Sequence, residues 1–183
     1  MNPRLGALCG IAAPVSFVGG WLVAGAVADG YRPVEQHISD LAAVGADTRP
    51  LMTAAMVGFG VLAPVWAVTL GRSLGSRRVR ASVTAAGLGT LAVAALPLGA
   101  DHGDAPHAVA AGIAYVAMAS SPLLGAQRLT GKARWASYAT GVASAALLAA
   151  STGGTAPGAL QRAGLGVVDA WFVVMAMREL RRR

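Results

Sequence analysis

The sequence predicts an all-α fold, a polytopic membrane bundle of six transmembrane helices with both termini cytoplasmic. Three observations carry this. Charged residues make up 13% of the 183-residue chain and apolar ones 55%, with a mean hydropathy of +0.58. A soluble domain carries roughly 25% charge, about twice as much. The apolar residues fall in long runs, and the basic residues gather between alternate runs. This excludes a disordered chain, a coiled coil and a typical soluble enzyme. One transmembrane domain over residues 1–183 is expected.

Each run is about long enough to cross a hydrocarbon core, which takes roughly 20 helical residues. The first, about 5–28, ends in Ala26-Val27-Ala28, which imitates a signal-peptidase site. Its apolar stretch exceeds the roughly 7–15 residues of a signal core, so it is expected to stay as a helix. The second spans about 51–70, the third 81–99 and the fourth 107–126, with Asp104 as its cap and Pro106 at its start. The fifth, about 135–151, is the shortest, and the sixth spans about 159–177. A lone strand would leave backbone groups unpaired in lipid, so all six are helices. Pro14, Pro64, Pro97 and Pro122 predict kinks or helix ends. Gly6-x-x-x-Gly10 and Gly87-Leu88-Gly89 suit close helix packing, within the chain or in a homodimer. Cys9, the single cysteine, excludes an intramolecular disulfide and reads as a packing residue. Trp21, Trp66, Trp135 and Trp171 read as packing or interfacial anchors.

Charge sets the orientation. With the N-terminus inside, twelve of the 15 basic residues are cytoplasmic; only Arg32, Arg49 and Arg162 are outside. Six of the eight acids lie outside, and Glu179 alone lies inside. The net charge of +7 is therefore topological. It forms no basic helix face with interleaved aromatics, so nucleic acid is not an expected partner. The Arg178–Arg183 run is expected to face anionic lipid.

Chemistry-bearing residues cluster at the outer face. After Pro33 the first loop is expected to form a short helix with His37 and Asp40 on one face, and Ile38 and Leu41 turned to the bundle or to lipid. Ser39 is expected to cap or turn the chain. The second outer loop holds Asp101, His102, Asp104 and His107. These residues are open to three readings: a solvated acidic loop, a divalent metal set (His37, Asp101, His102, His107), or an acid-base or ligand contact. The first loop is expected to fold back, bringing His37 or Asp40 near Asp101 or His107. On the sixth helix Asp169 lies seven residues beyond Arg162 on the same stripe, about 10 Å deeper. It is either functional or a protonated acid bonded to a neighbouring helix. A polar cavity is expected between the third, fourth and sixth helices, with its mouth at Arg162 and its floor near Asp169. Tyr115, Ser120 or Thr90 would bridge the two.

Gly30-Tyr31-Arg32-Pro33 followed by Gln36-His37-Ile38-Ser39-Asp40-Leu41 resembles the signature of the domain-of-unknown-function 998 family. Pro97, Asp101 and His107, then Gly158, Gln161-Arg162 and Trp171, extend the likeness over nearly the whole chain. The resemblance implies a six-helix integral membrane protein of bacterial or archaeal type, and no assigned activity. Gln161 stands where the family commonly has an acid, and Asp169 where it commonly has an apolar residue. The second loop lacks the family's usual Phe-Pro.

Three functions compete. The favoured one is binding of a lipid or small amphiphile in an outward-facing polar cavity, at His37, Ser39, Asp40, Asp101, His107, Arg162 and Asp169. The alternative is a small intramembrane metal-assisted lipid hydrolase using Ser39, Asp40, Asp101 and the three histidines. A proton-coupled carrier using Asp169 and Arg162 is third, since no inverted repeat is evident. The sequence carries no cofactor motif; a divalent metal is the only candidate. Membrane lipid and a second copy of the chain are the expected partners.

Overall fold

The computed structural model describes residues 2–182 and contains six α-helices: α1 (Pro3–Val27), α2 (Arg49–Ser73), α3 (Arg77–Ala95), α4 (Ala105–Ala126), α5 (Gly131–Ala150) and α6 (Pro157–Arg181). Four of them, α1, α2, α4 and α6, are long and apolar enough to cross a membrane. Each helix packs against its neighbour in the chain, and α6 closes onto α1, so the six form a ring. Among the described residues there is no strand.

The helix ends follow local chemistry. Asn2 caps α1 by accepting from the Arg4 amide, and Ser76 caps α3 by accepting from the Val79 amide. The Ser76 cap starts α3 four residues before the expected apolar run, taking Arg77, Arg78 and Arg80 into the helix. Pro97 stops it four residues early, because the residue before a proline is pushed out of helical geometry. Gly75, just after α2, and Gly131, the first residue of α5, each have φ of 57°, where a side chain would be strained.

Aromatic and small residues fill the ring. Phe59 stacks on Phe172 at 6.4 Å and meets Phe17 at 5.7 Å. Several of the small residues make close contacts within the chain. A side chain at Gly10 would strike Trp66 and Ala176, one at Gly87 would meet Gly60 and Pro64, and one at Gly89 would meet Ala114. Trp66 and Trp171 are buried in the core, while Trp135 is exposed. Cys9 is buried and unpaired.

Candidate functional site

One end of the bundle is closed by the loop between α1 and α2. It turns at residues 33–36 and enters a short helix of 3-10 type, Ile38–Ala42, where the sequence predicted a short helix after Pro33. Its start is fixed by Asp40, whose carboxylate accepts from the His37 amide at 2.9 Å. Ile38 and Leu41 are each 1% exposed, so the apolar side of this turn is driven into the bundle.

Two adjacent residues of α6 hold the cap down. Arg162 Nη1 donates to the carbonyls of Pro33 (2.7 Å), Gln36 (2.9 Å) and Gly158 (2.9 Å), and Nη2 donates to the Tyr31 hydroxyl. Its guanidinium also lies over the rings of Trp21 and Tyr31, 5.3 and 5.4 Å from their centroids. Tyr31 in turn donates to the His37 carbonyl at 2.8 Å. Gln161 accepts from the Ile38 amide at 2.7 Å, and its amide nitrogen donates to the Tyr115 hydroxyl on α4. The Ala159 amide donates to the Val34 carbonyl at 3.0 Å. This close approach requires Gly158: a Cβ there would collide with the Gln36 carbonyl oxygen and sit 2.6 Å from that of Pro33. The loop also meets the second outer loop, where the Val44 amide donates to the Leu98 carbonyl at 2.9 Å.

Beneath the cap lies a cavity of about 50 Å³. Ser39, Thr90, His107, Tyr115 and Gln161 give it polar groups, while Phe17, Met56, Phe59, Val93, Met118 and Leu165 supply apolar walls. His107 reaches back across the α3–α4 turn, its Nδ1 2.7 Å from the Leu96 carbonyl. A carbonyl only accepts, so Nδ1 carries the proton and Nε2 is the basic nitrogen of the neutral ring.

The expected outer constellation is only partly assembled. Ser39 and His107 line one cavity, and Ser39 takes this place instead of capping the turn. His37 is directed to the Ser151 carbonyl at 3.1 Å, and His102 to the Gly103 carbonyl at 2.7 Å. Asp101 is exposed and lines no described cavity, and Asp40 borders a separate hollow facing outward beside Tyr31 and Asp47. Among the described residues, no three His, Cys, Asp or Glu side chains are placed to hold a metal ion. Each histidine ring instead meets a different backbone carbonyl. Asp104 occupies the α4 cap position, but its carboxylate accepts from the Gly99 amide and not from the helix.

The expected Arg162–Asp169 channel is not formed. Neither residue lines the cavity. Arg162 is consumed by the cap. Asp169 is 3% exposed, and neither carboxylate oxygen has a hydrogen-bond partner among the described residues. It is buried, as expected, yet the cavity lining includes the apolar Met118 and Leu165 and not this acid. Tyr115 and Thr90 reach the cavity without bridging Arg162 to Asp169, and Ser120 bonds to Ser82 on α3. Tyr31, Tyr115, Gln161 and Gly158 carry more of the site than their sequence context suggested.

A family model described as "Protein of unknown function (DUF998)" matches residues 11–178. No curated protein and no solved structure matches the chain.

Proposed function

We infer, for a chain that belongs to the DUF998 family, a six-span membrane protein with cytoplasmic termini whose capped outer cavity holds the polar end of a lipid or small amphiphile. The observation that carries this reading is the mixed lining: five polar side chains border an otherwise apolar chamber. Ligand pockets have this composition, with a few polar groups orienting a molecule among apolar contacts. The volume of about 50 Å³ limits what the closed chamber accepts. One water needs roughly 10–15 Å³ by this measure, so a head fragment of a few heavy atoms fits. The apolar remainder must lie between helices or beneath a raised cap. Support for the six-span topology comes from the four strongly apolar helices, the ring packing of α3 and α5 between them, and the arginine clusters at one end.

The test is extraction and mass spectrometry of protein purified in mild detergent. The expected result is one amphiphile enriched over bulk lipid at about one per chain, and depleted in Ala111→Leu, which fills the cavity. Identical lipid profiles for both proteins would sink the reading.

A second reading, a lipid hydrolase, is favoured by the Ser39 hydroxyl and the His107 ring lining the same chamber. With Nδ1 on the Leu96 carbonyl, Nε2 is the nitrogen left to act as a base. A metal-assisted form has less support, since the histidine rings are directed to separate carbonyls. Hydrolysis of a short-chain lipid ester that disappears in Ser39→Ala, with amphiphile binding retained, would favour this reading over simple binding.

A further inference from the structure

A second apolar feature lies away from the capped cavity. A groove of about 770 Å³ runs along the outer side of the α3–α4 pair. Small residues make it: Ala81 and Ala85 on α3 and Gly112 on α4, where an added Cβ would meet nothing within 4 Å. Exposed Val109, Ile113 and Val116 form its other wall. The polar side chains along it are turned aside: Ser82 donates to the Ala117 carbonyl and is bonded to Ser120. From Val109 to Leu124 it follows sixteen residues of α4, about 22 Å by helical rise, longer than one leaflet's roughly 15 Å share of the hydrocarbon core.

The inner end of this groove is strongly positive. Arg78 lines both the groove and a hollow at the rim, which it shares with Arg77 and Arg128. Arg77 and Arg80 border a further hollow that shares Ala81 and Ala85 with the groove. Among the described residues none of these four guanidinium groups has an ion-pair partner, since the pairs found are Arg32–Glu35 and Arg182–Glu179. Glu179, the one acid at this end, is held by Ser73 and Arg182. The first turn of α3 contains no acid. Three arginines therefore crowd the positive end of a helix dipole, an arrangement that a neighbouring anion relieves.

We propose that this surface is a binding site for an anionic phospholipid, with the phosphate among Arg77, Arg78, Arg80 and Arg128 and an acyl chain along the α3–α4 groove. A free anion would use the arginines and leave the groove empty. A zwitterionic lipid would use the groove and gain little from the arginines. Only a lipid with net negative charge uses both. The proposal rests on α3 crossing the membrane beside α4, as in the six-span reading, and not on the capped cavity.

The experiment is native mass spectrometry of the full chain in mild detergent, titrated with phosphatidylglycerol, with phosphatidylcholine of the same acyl chains, and with inorganic phosphate. The expected result is one phosphatidylglycerol retained per chain in preference to phosphatidylcholine. Arg78→Gln with Arg128→Gln should weaken it about thirtyfold, at the usual contribution per basic residue near a lipid head group. Gly112→Leu, which fills the groove and leaves every arginine in place, should also weaken it. Lys132→Gln with Arg134→Gln, charges at the same end that line neither the groove nor its adjoining hollows, should leave it unchanged. Equal retention of both lipids, equal loss in the control pair, full retention in Gly112→Leu, or complete displacement by millimolar phosphate would overturn the proposal. So would a dimer lost in Gly112→Leu without lipid retention, which would assign the groove to a second copy of the chain. Maleimide labelling of Leu88→Cys in vesicles, in a Cys9→Ser background, keeps the two readings apart. Free labelling refutes the membrane placement of α3, whereas protection combined with a failed titration refutes the lipid site alone.

Discussion

Replacing Arg162 with alanine removes four hydrogen bonds and two ring contacts at once. Hydrogen bonds to a charged group contribute about 1.5–3 kcal/mol each, and a cation over an aromatic face about 0.5–1 kcal/mol where exposed. The full sum is not lost. The Pro33 carbonyl is at the exposed rim and regains water, and interactions sharing one side chain are not additive. A net loss of about 3–5 kcal/mol is expected, concentrated in the cap. Amide hydrogen exchange reads this directly. A local loss of about 3 kcal/mol speeds exchange roughly a hundredfold where opening is local. The affected amides are Ile38, which donates to Gln161, and Ala159, which donates to Val34. Arg162→Lys should fall between, since one ammonium does not reproduce the planar fork. Unchanged exchange over residues 31–42 in Arg162→Ala, with the protein folded, would refute the assignment of Arg162 as the cap's fastening.

Other expectations follow from the same contacts. Gly158→Ala should lower thermal stability by about 1–3 kcal/mol, because its Cβ strikes loop backbone that has to move. Gln161→Leu should cost a similar amount by stranding the Ile38 amide and the Tyr115 hydroxyl, measured by the same thermal unfolding assay. Asp169→Leu should leave stability equal or higher, since it removes a buried carboxylate with no hydrogen-bond partner among the described residues; a marked loss would reveal a partner for the acid. Burial pushes the Tyr31 phenol above the ordinary tyrosine range, and the Arg162 guanidinium partly offsets this. The unfolded chain then loses this proton first as pH rises, so stability should fall from about pH 10 upward. Tyr31→Phe should lack that component of an alkaline unfolding titration.

The helices were legible because side-chain transfer into lipid acts on every residue of a run, so the pattern survives without knowledge of contacts. Their ends were less so. α3 begins at Ser76 and stops before Pro97, and caps and prolines outrank hydropathy there. At the site, sequence spacing put Arg162 and Asp169 on one stripe but said nothing of what faces them. Arg162 found the carbonyls of a loop more than 120 residues away in the chain, whereas Asp169 found no hydrogen-bond partner among the described residues. The histidines were grouped because all three fall in the two loops expected at one face, and each ring meets a different backbone carbonyl instead. Gln161 proved informative: an amide can accept from Ile38 and donate to Tyr115 at once. A carboxylate there can keep the first bond, with the tyrosine hydroxyl turning to donate the second.

The central claim is that the first loop is a cap closing a ligand chamber. Val34 and Ala159 are joined by a backbone hydrogen bond of 3.0 Å, so cysteines at these positions lie within reach of a disulfide. The deciding measurement uses Val34→Cys with Ala159→Cys in a Cys9→Ser background and follows exchange of the co-purified amphiphile against an isotope-labelled pool. Exchange should stop on oxidation and resume on reduction, with about one molecule per chain held throughout. Equal exchange in the oxidised and reduced protein, or no retained amphiphile in either, would contradict it.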